Sequence, residues 1–256
     1  MTPLASFNLN SLIELILGHS SFISPEESRR NLEQNVVGIY TLGRSEEGLD
    51  LRPTSAGCGV CLTTDGYILT ANHVIEEALG TLHGENTNVD AVVVLDQQKK
   101  FSSLDPSFVI SNPDYDLALV KMYRPEIGQR LRFNINLTGL YTSQVLTTVA
   151  LNHTTGQIEI SRGEVLSTDG EKDCYRSLSK DRVYHVLDSF STSSIVHRGD
   201  SGGIFIDEAG SLVGTIIASN VINEEDKKAH GTASGVDIAY GLQMIYWTLE
   251  MILKRT

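Results

Sequence analysis

The sequence predicts an all-β core with helices near both ends of the chain. From residue 36 to about residue 240 the chain breaks into many short β-type runs, and turn residues rather than helical segments separate them. Helical spacing of apolar residues occurs only outside this region. Numerous short strands with little helix between them are typical of a barrel or a sandwich.

Two helices are predicted near the start of the chain. Apolar residues recur at helical spacing between residues 9 and 17, where Ser11 and Glu14 fit a capping box. The second helix begins at Ser24-Pro25-Glu26-Glu27, with serine as the N-cap and proline in the first turn, and runs to about Gln34. Because this second helix is mostly polar, we expect it at the surface.

Ten runs in the central region have the composition of strands. They are Val36–Tyr40, Gly59–Thr63, Tyr67–Thr70, Val89–Leu95, Leu117–Met122, Val145–Ala150, Gly163–Ser167, Tyr184–Leu187, Ile204–Ile206 and Leu212–Ser219. Asp65-Gly66 separates the second run from the third, and Glu208-Ala209-Gly210 separates the ninth from the tenth. Glycine in these turns tolerates positive φ, so both pairs of runs are expected to form hairpins.

A further helix is predicted near residue 250. Its apolar residues form two stripes, one of Leu242, Ile245, Tyr246, Leu249 and Ile252, the other of Met244, Trp247 and Met251. A helix that is apolar on two faces either packs deeply within the protein or contacts a partner along one face. We favour the packed arrangement.

Composition excludes several classes of protein. The 256 residues include 32 acidic and 20 basic side chains, a formal net charge of −12, and 41% are hydrophobic, as in folded soluble proteins. The negative charge disfavours nucleic acid as a partner, because the phosphate backbone would be repelled. No apolar run approaches the ~18 residues that cross a bilayer. No basic residue precedes Arg29, so we expect a cytoplasmic protein or export without a Sec signal.

The three cysteines, Cys58, Cys61 and Cys174, do not suggest a disulfide scaffold, because their number is odd in a long chain. Cys58 and Cys61 form a C-x-x-C pair, but no second ligand pair follows at zinc spacing. We therefore expect two packed strand cysteines, and neither a metal nor a cofactor.

Three segments supply the groups that nucleophilic hydrolysis requires, namely a hydroxyl, an imidazole that takes its proton and a carboxylate that orients the imidazole. His73 follows the apolar run at 67–69, and Asp116 leads directly into another run. Ser201 lies in Gly199-Asp200-Ser201-Gly202-Gly203. A carboxylate at the entrance of a buried strand needs a hydrogen-bonding partner. The glycines allow a sharp turn in which the amides of Gly199 and Ser201 can converge on one oxyanion.

Each segment alone also fits a structural role. A lone histidine at a strand end and a glycine-rich turn are common without any chemistry. The order His, Asp, Ser, with separations of 43 and 85 residues, favours a catalytic set over three unrelated features.

With these motifs the chain resembles the trypsin- and chymotrypsin-like serine peptidases, most closely the HtrA-like branch. The resemblance covers about Val36 to Leu249. It lies in Gly57-Cys58-Gly59-Val60, Asp65-Gly66 through His73-Val74, Asp116-Leu117-Ala118-Leu119, Gly163-Glu164-Val165-Leu166-Ser167, Gly199–Gly203 and Val236-Asp237-Ile238-Ala239.

The resemblance implies a helical extension at 1–35 and a peptidase domain at 36–256. That domain would contain two six-stranded antiparallel barrels, about 36–135 and 136–240, followed by a C-terminal helix, with the active site between the barrels. His73 would be the general base, Asp116 its orienting carboxylate and Ser201 the nucleophile. The amides of Gly199 and Ser201 would form the oxyanion hole.

Several residues depart from the family pattern. Val74 replaces the cysteine of many secreted relatives, and Cys58 replaces a small hydroxyl residue. Asp200 matches the trypsin type, whereas HtrA-like loops usually carry asparagine. No Arg or Lys precedes Val36, so we expect activity without the cleavage that activates trypsin-like zymogens, with Asp200 satisfied by backbone or side-chain donors. We also expect no PDZ domain.

The resemblance implies the substrate pocket as well. The residue six positions before the nucleophile, Ile195, would form the pocket floor, and Ile217, Ala218 and Ser219 its wall. An apolar floor favours a small or medium aliphatic P1 side chain in protein or peptide substrates. The alternatives are an esterase or self-cleaving protease with the same triad, and a latent or pseudoprotease binding module. The N-terminal helices could form a homo-oligomer or pack over the barrels.

Overall fold

The computed structural model describes residues 23–44, 51–63, 66–76, 91–95, 97, 101–122, 133–136, 139–168, 174–176, 183–185, 189–221 and 231–237. The helices predicted at 9–17 and 242–252 lie outside these residues. Within them, no helix is both long and apolar enough to span a membrane.

Six antiparallel strands form a closed first barrel. They are β1 (Val36–Arg44), β2 (Leu51–Cys61), β3 (Tyr67–Ala71), β4 (Ala91–Leu95), β5 (Phe101–Asn112) and β6 (Leu117–Met122). The strand order is β1-β2-β3-β6-β5-β4, and the pairing of β4 with β1 closes the ring. The side chains of Ile39, Leu69 and Leu119 are fully buried. Closure leaves no free strand edge for intermolecular pairing.

The remaining strands lie in the second half of the chain. They are β7 (Asn134–Ile135), β8 (Val145–Leu151), β9 (Ile158–Ser167), β10 (Cys174–Arg176), β11 (Val183–His185), β12 (Ser189–Val196), β13 (Ile204–Asp207), β14 (Ser211–Val221) and β15 (Gly231–Asp237). Six of them follow the order β13-β8-β9-β12-β15-β14, and pairing of β13 with β14 joins the two ends of this sheet. β7 adds in parallel to β14, and β10 pairs with β11 separately.

The second sheet encloses an aromatic core. The rings of Phe190 and Phe205 meet edge to face at 4.9 Å. Gly235 lies against both rings, and a Cβ at that position would overlap Phe205. The all-β fold class, with two six-stranded rings, is therefore confirmed.

The helix predicted from Ser24 is confirmed as α1 (Pro25–Gln34), and the Ser24 hydroxyl accepts a hydrogen bond from the Glu27 amide at 3.1 Å. Only part of α1 lies at the surface as expected, because Ser28 and Leu32 are fully buried. The Ser28 hydroxyl donates to the Gly210 carbonyl at 2.5 Å and accepts from the Asn134 amide at 2.8 Å. This helix therefore packs over the barrels.

Candidate active site

His73 lies just after β3, in a helical stretch at 72–76. Its Nδ1 is 2.7 Å from Asp116 Oδ2, and its main-chain amide donates to Asp116 Oδ1 at 2.9 Å. The Asn72 amide donates to the Asp116 carbonyl at 2.8 Å. The ring and main chain of His73 are thus fixed by one carboxylate.

Asp116 occupies the turn between Pro113–Tyr115 and β6. Its backbone is left-handed, with φ of 47°, a conformation that aspartate and asparagine adopt more readily than most residues. Its side chain is only 6% exposed. The partner expected for a buried carboxylate at this strand entrance is His73.

The surroundings of His73 shift its pKa in opposite directions. Burial, the largest influence, lowers the pKa of His73, whereas the charge and hydrogen bond of Asp116 and the charge of Glu76 raise it. The net effect is a pKa above the ordinary value of 6.5. His73 is therefore a stronger base than a free histidine.

The loop that contains Ser201, residues 199–203, packs against the first barrel. The Cys58 amide donates to the Ser201 carbonyl at 2.6 Å, and the Gly202 amide donates to the Ile216 carbonyl at 2.7 Å. Gly202 has φ of 86°, and a Cβ there would overlap the Cys58 carbonyl oxygen. Only glycine fits this left-handed approach to β2.

The packing of this loop against β2 brings Ser201 near His73, with Gly57 between Ser201 and Val74. A Cβ on Gly57 would lie 3.0 Å from the Ser201 carbonyl oxygen and 2.5 Å from Val74, the neighbour of His73. Among the hydrogen bonds of the described residues, none joins Ser201 Oγ to His73. Such bonds are often long in enzymes without substrate and tighten when substrate binds.

Within residues 199–203, two amides have no acceptor in the described part of the chain, those of Gly199 and Ser201. The Asp200 amide between them donates to the His197 carbonyl at 3.1 Å, and the Gly203 amide donates to the Asp200 carbonyl at 2.8 Å. The two amides predicted for an oxyanion hole are therefore available to an external acceptor.

The two strand cysteines behave as expected. Cys58 and Cys61 are free and buried in β2. Burial raises the pKa of the Cys58 thiol to about 12, with the Leu151 amide opposing this effect. Because the thiolate is the reactive form, Cys58 is not a nucleophile at neutral pH.

Asp200 is held from within the loop. Its Oδ2 accepts from the His197 amide at 2.6 Å, in agreement with the expectation of internal donors. Val36, the residue considered above in connection with zymogen cleavage, lies within β1, where its side chain is fully buried and it pairs with Val60. Burial raises the pKa of Asp200 to about 6, although the His197 amide and the charge of His197 lower it.

We expect Asp200→Asn to stabilise the protein at alkaline pH. A pKa of about 6 in the folded state, against the ordinary 3.8, means that Asp200 lowers stability as pH rises between these values. At roughly 1.4 kcal/mol per pKa unit, the substitution should recover up to about 3 kcal/mol at pH 8 and little near pH 4.

Thermal melting at both pH values measures this effect. Asp114→Asn, on an exposed turn, is the matched control and should change Tm little. An Asp200→Asn Tm that is unchanged or lower at pH 8 would contradict the prediction.

The structure describes the side chains of two of the four predicted pocket residues. Ile195 is 55% exposed, and Ile217 is buried. The side chains of Ala218 and Ser219 lie outside the described residues. A groove of about 430 Å³ is lined by Thr148, Ala150, Glu159, Ile160, Ser161, Ile195, His197 and Asp200. Of the four predicted pocket residues, this groove contains Ile195.

Several groove residues carry no sequence motif that could have identified them. Glu159 Oε2 lies 3.1 Å from His197 Nδ1, and Glu159 Oε1 accepts from Asn152 Nδ2 at 2.6 Å. Glu159, His197 and Asp200 place ligand-type atoms within 4.8 Å of one another and could ligate a cation by atom type. The hydrogen bonds of these three side chains account for their positions without a bound cation.

The chain is similar to known peptidases. Residues 57–214, more than half of the chain, match the family described as trypsin-like peptidase domain. The serine endoprotease DegS of Haemophilus influenzae (strain ATCC 51907 / DSM 11121 / KW20 / Rd) is 25% identical over 243 residues, which cover 93% of this chain. The chain spans only 63% of the length of that relative.

Solved structures support the same fold. The HtrA-type protease AlgW with a tripeptide has a TM-score of 0.60 and 19% identity, covering 87% of this chain and 62% of that one. A point variant of AlgW with a decapeptide has a TM-score of 0.61 and 19% identity, covering 89% of this chain and 67% of that one. At this identity the likeness shows the fold alone. The family match over residues 57–214 shows that the chain belongs to the family of trypsin-like peptidase domains.

Proposed function

We propose that the protein is a serine endopeptidase that cleaves peptide bonds of protein substrates through His73, Asp116 and Ser201. The observation that carries the proposal is the 2.7 Å contact between His73 Nδ1 and Asp116 Oδ2. Because Asp116 binds Nδ1, Nε2 is the ring nitrogen that remains for the proposed nucleophile, Ser201. The family match gives the reaction class.

In the proposed mechanism, Ser201 Oγ attacks the peptide carbonyl carbon while His73 Nε2 takes the hydroxyl proton. The amides of Gly199 and Ser201 bind the oxyanion, and Asp116 stabilises the imidazolium. The intermediate collapses to an acyl-enzyme, and His73 gives its proton to the leaving amine. Water, deprotonated by His73, then releases the acid and restores Ser201.

A fluorophosphonate probe tests the class of function. We expect wild-type protein to be labelled and Ser201→Ala to remain unlabelled. The second candidate, a latent or pseudoprotease binding module, is favoured by the lack of a Ser201–His73 hydrogen bond in the described residues. Correctly folded wild-type protein that resists labelling would support that candidate and contradict ours.

We expect peptide hydrolysis to rise with pH through a midpoint above 6.5. Neutral imidazole is the form that accepts the serine proton, and Asp116 raises the pKa of His73. Activity is therefore low below this pKa and complete above it. The measurement is kcat/KM against pH with a substrate for which chemistry limits the rate. A flat profile between about pH 5 and 9 would exclude a histidine base.

We further propose a small or medium aliphatic P1 preference. Ile195 and Ile160 are 55% and 53% exposed and line the same groove. The Glu159 carboxylate there is already engaged by His197 and Asn152. Among the described groove residues, a cationic P1 side chain would therefore find no carboxylate without a partner, and burying an unpaired charge is costly.

A matched P1 series tests this preference. We expect kcat/KM for P1 Val, Ala, Leu and Ile to exceed that for Lys, Arg and Asp by at least about tenfold, which corresponds to about 1.4 kcal/mol. Ile195→Asp should shift the preference toward basic residues, and Leu166→Asp, at an exposed position of β9 that does not line the groove, is the matched control. A wild-type preference for Arg or Lys would contradict the proposal and implicate Glu159.

A further inference from the structure

We propose that His153 is a positioning residue that holds the oxyanion amides through the Gly199 carbonyl. The inference rests on the proposed function and adds a residue outside the His–Asp–Ser set. His153 lies in the turn between β8 and β9, and its Nε2 is 3.0 Å from the Gly199 carbonyl oxygen. A carbonyl only accepts hydrogen bonds, so Nε2 carries the proton and Nδ1 is bare.

The anchored peptide unit lies between the two oxyanion donors. The Gly199 carbonyl belongs to the unit that joins Gly199 to Asp200, whereas the two donors are the amides of Gly199 and Ser201. Rotation of this central unit would turn both flanking amides. Cys58 Sγ lies 3.3 Å from the same oxygen, so two donors converge on it. The carbonyl is thus fixed from β2 and from the β8–β9 turn.

The turn at Gly199 needs contacts from outside the loop to hold a single conformation. Gly199 has φ of 100°, which a glycine can leave at little steric cost. The His153 ring packs directly on it, since a Cβ at Gly199 would lie 2.7 Å from His153 Cδ2. Tyr40 holds the ring in turn, edge to face at 4.9 Å. Packing and hydrogen bond together define one orientation of the peptide unit.

The His153 ring is also kept neutral. Its Nδ1 is buried and has no hydrogen-bond partner in the described residues. Burial lowers the pKa of His153, and the hydrogen bond to Gly199 opposes this only in part. Among the described residues, the titratable groups in contact with the ring are the Cys58 thiol and Tyr40, and neither is a carboxylate that would favour imidazolium. His153 therefore donates to Gly199 throughout the range in which His73 titrates.

Paired substitutions separate the hydrogen bond from packing. His153→Phe keeps a ring against Gly199 and Tyr40 but removes the donor, and His153→Gln replaces the ring by an amide that can donate. We expect the Phe variant to lose roughly 10- to 100-fold in kcat with KM nearly unchanged, less than the ~10²–10³ lost when one oxyanion donor is deleted. The Gln variant should recover most of this loss. Thr154→Ala, exposed in the same turn, is the control.

A tetrahedral inhibitor reports on the oxyanion site directly. Affinity for a peptide aldehyde, measured on each variant, should fall in step with kcat/KM. Affinity for the same peptide with a plain carboxamide end, measured in the Ser201→Ala background, should stay unchanged. Equal losses in the Phe and Gln variants with unchanged aldehyde affinity would show a merely structural role and overturn the inference.

The remaining outcomes are also decisive. Active wild-type protein with an equally active Phe variant would overturn this inference and leave the proposed function standing. Inactive wild-type protein would overturn both. If the Phe variant fails to fold, ¹⁵N NMR of the wild-type ring decides: at about pH 7.5 we expect the Nε2–H tautomer. An Nδ1–H tautomer would refute the inference.

Discussion

Ser201→Ala and His73→Ala should each abolish peptide hydrolysis, with losses in kcat on the order of 10⁶. Each substitution disables the same step, because the hydroxyl and the imidazole share one proton transfer. The double variant should therefore be barely worse than either single variant. Both side chains are partly exposed and lie outside the barrel cores, so the fold should be retained.

Single-turnover cleavage of a peptide library measures these losses, with circular dichroism as the check on folding. Ser103→Ala, at an exposed position of β5, is the matched control and should keep full activity. If His73→Ala retained most of the wild-type rate, the assignment of the base would be wrong.

Asp116→Asn should be the next most severe substitution, with a loss in kcat of about 10⁴, a magnitude carried over from the chymotrypsin-type triad. The asparagine NH₂ cannot accept from His73 Nδ1, so the ring takes the tautomer with its proton on Nε2 and has no basic nitrogen toward Ser201. Asparagine tolerates the left-handed backbone of Asp116, which has φ of 47°. It is therefore a cleaner test than alanine.

The matched control for this substitution is Asp114→Asn, two residues earlier in the same turn. Its carboxylate makes no contact with His73 in the described structure. We expect it to retain the wild-type kcat/KM. An Asp116→Asn enzyme within tenfold of wild type would remove Asp116 from the mechanism.

Local patterns in the sequence were enough to predict much of this structure. Strand β6 was predicted with its observed bounds, because Leu117–Met122 is a continuous apolar run after a turn. The hairpin at Glu208-Ala209-Gly210 followed from one glycine, which has φ of 71° in the structure. These features depend on residues close in sequence, as does the α1 cap.

The missed strands depend on distant partners. β12 has the sequence SFSTSSIV and β15 the sequence GTASGVD, and serine and glycine have low strand propensity. β12 and β15 are strands because β15 pairs with β12 on one side and with β14 on the other, and these pairings complete the second ring. β5 was missed although its sequence contains Phe101 and Val109, because Pro106 and Asp105 interrupt the pattern.

Site residues divide in the same way. His73, Asp116 and Ser201 stand in local motifs, whereas His153 and Glu159 reach the site only through the fold. Counting back from the nucleophile located Ile195 but did not fix the direction of its side chain. Burial alternates along the end of β12, with Ser194 and Val196 buried and Ile195 exposed.

The hydrogen bond from the Cys58 amide to the Ser201 carbonyl joins the two barrels at the proposed active site. The proposed base and its carboxylate belong to the first barrel, and the nucleophile belongs to a loop of the second. The buried side chains of both barrels belong to one hydrophobic cluster, which contains Ile39 of the first barrel and Phe205 of the second. Parting the barrels would therefore expose apolar surface of both. We expect hydrolytic activity and the circular dichroism signal of the sheets to be lost together as urea is raised.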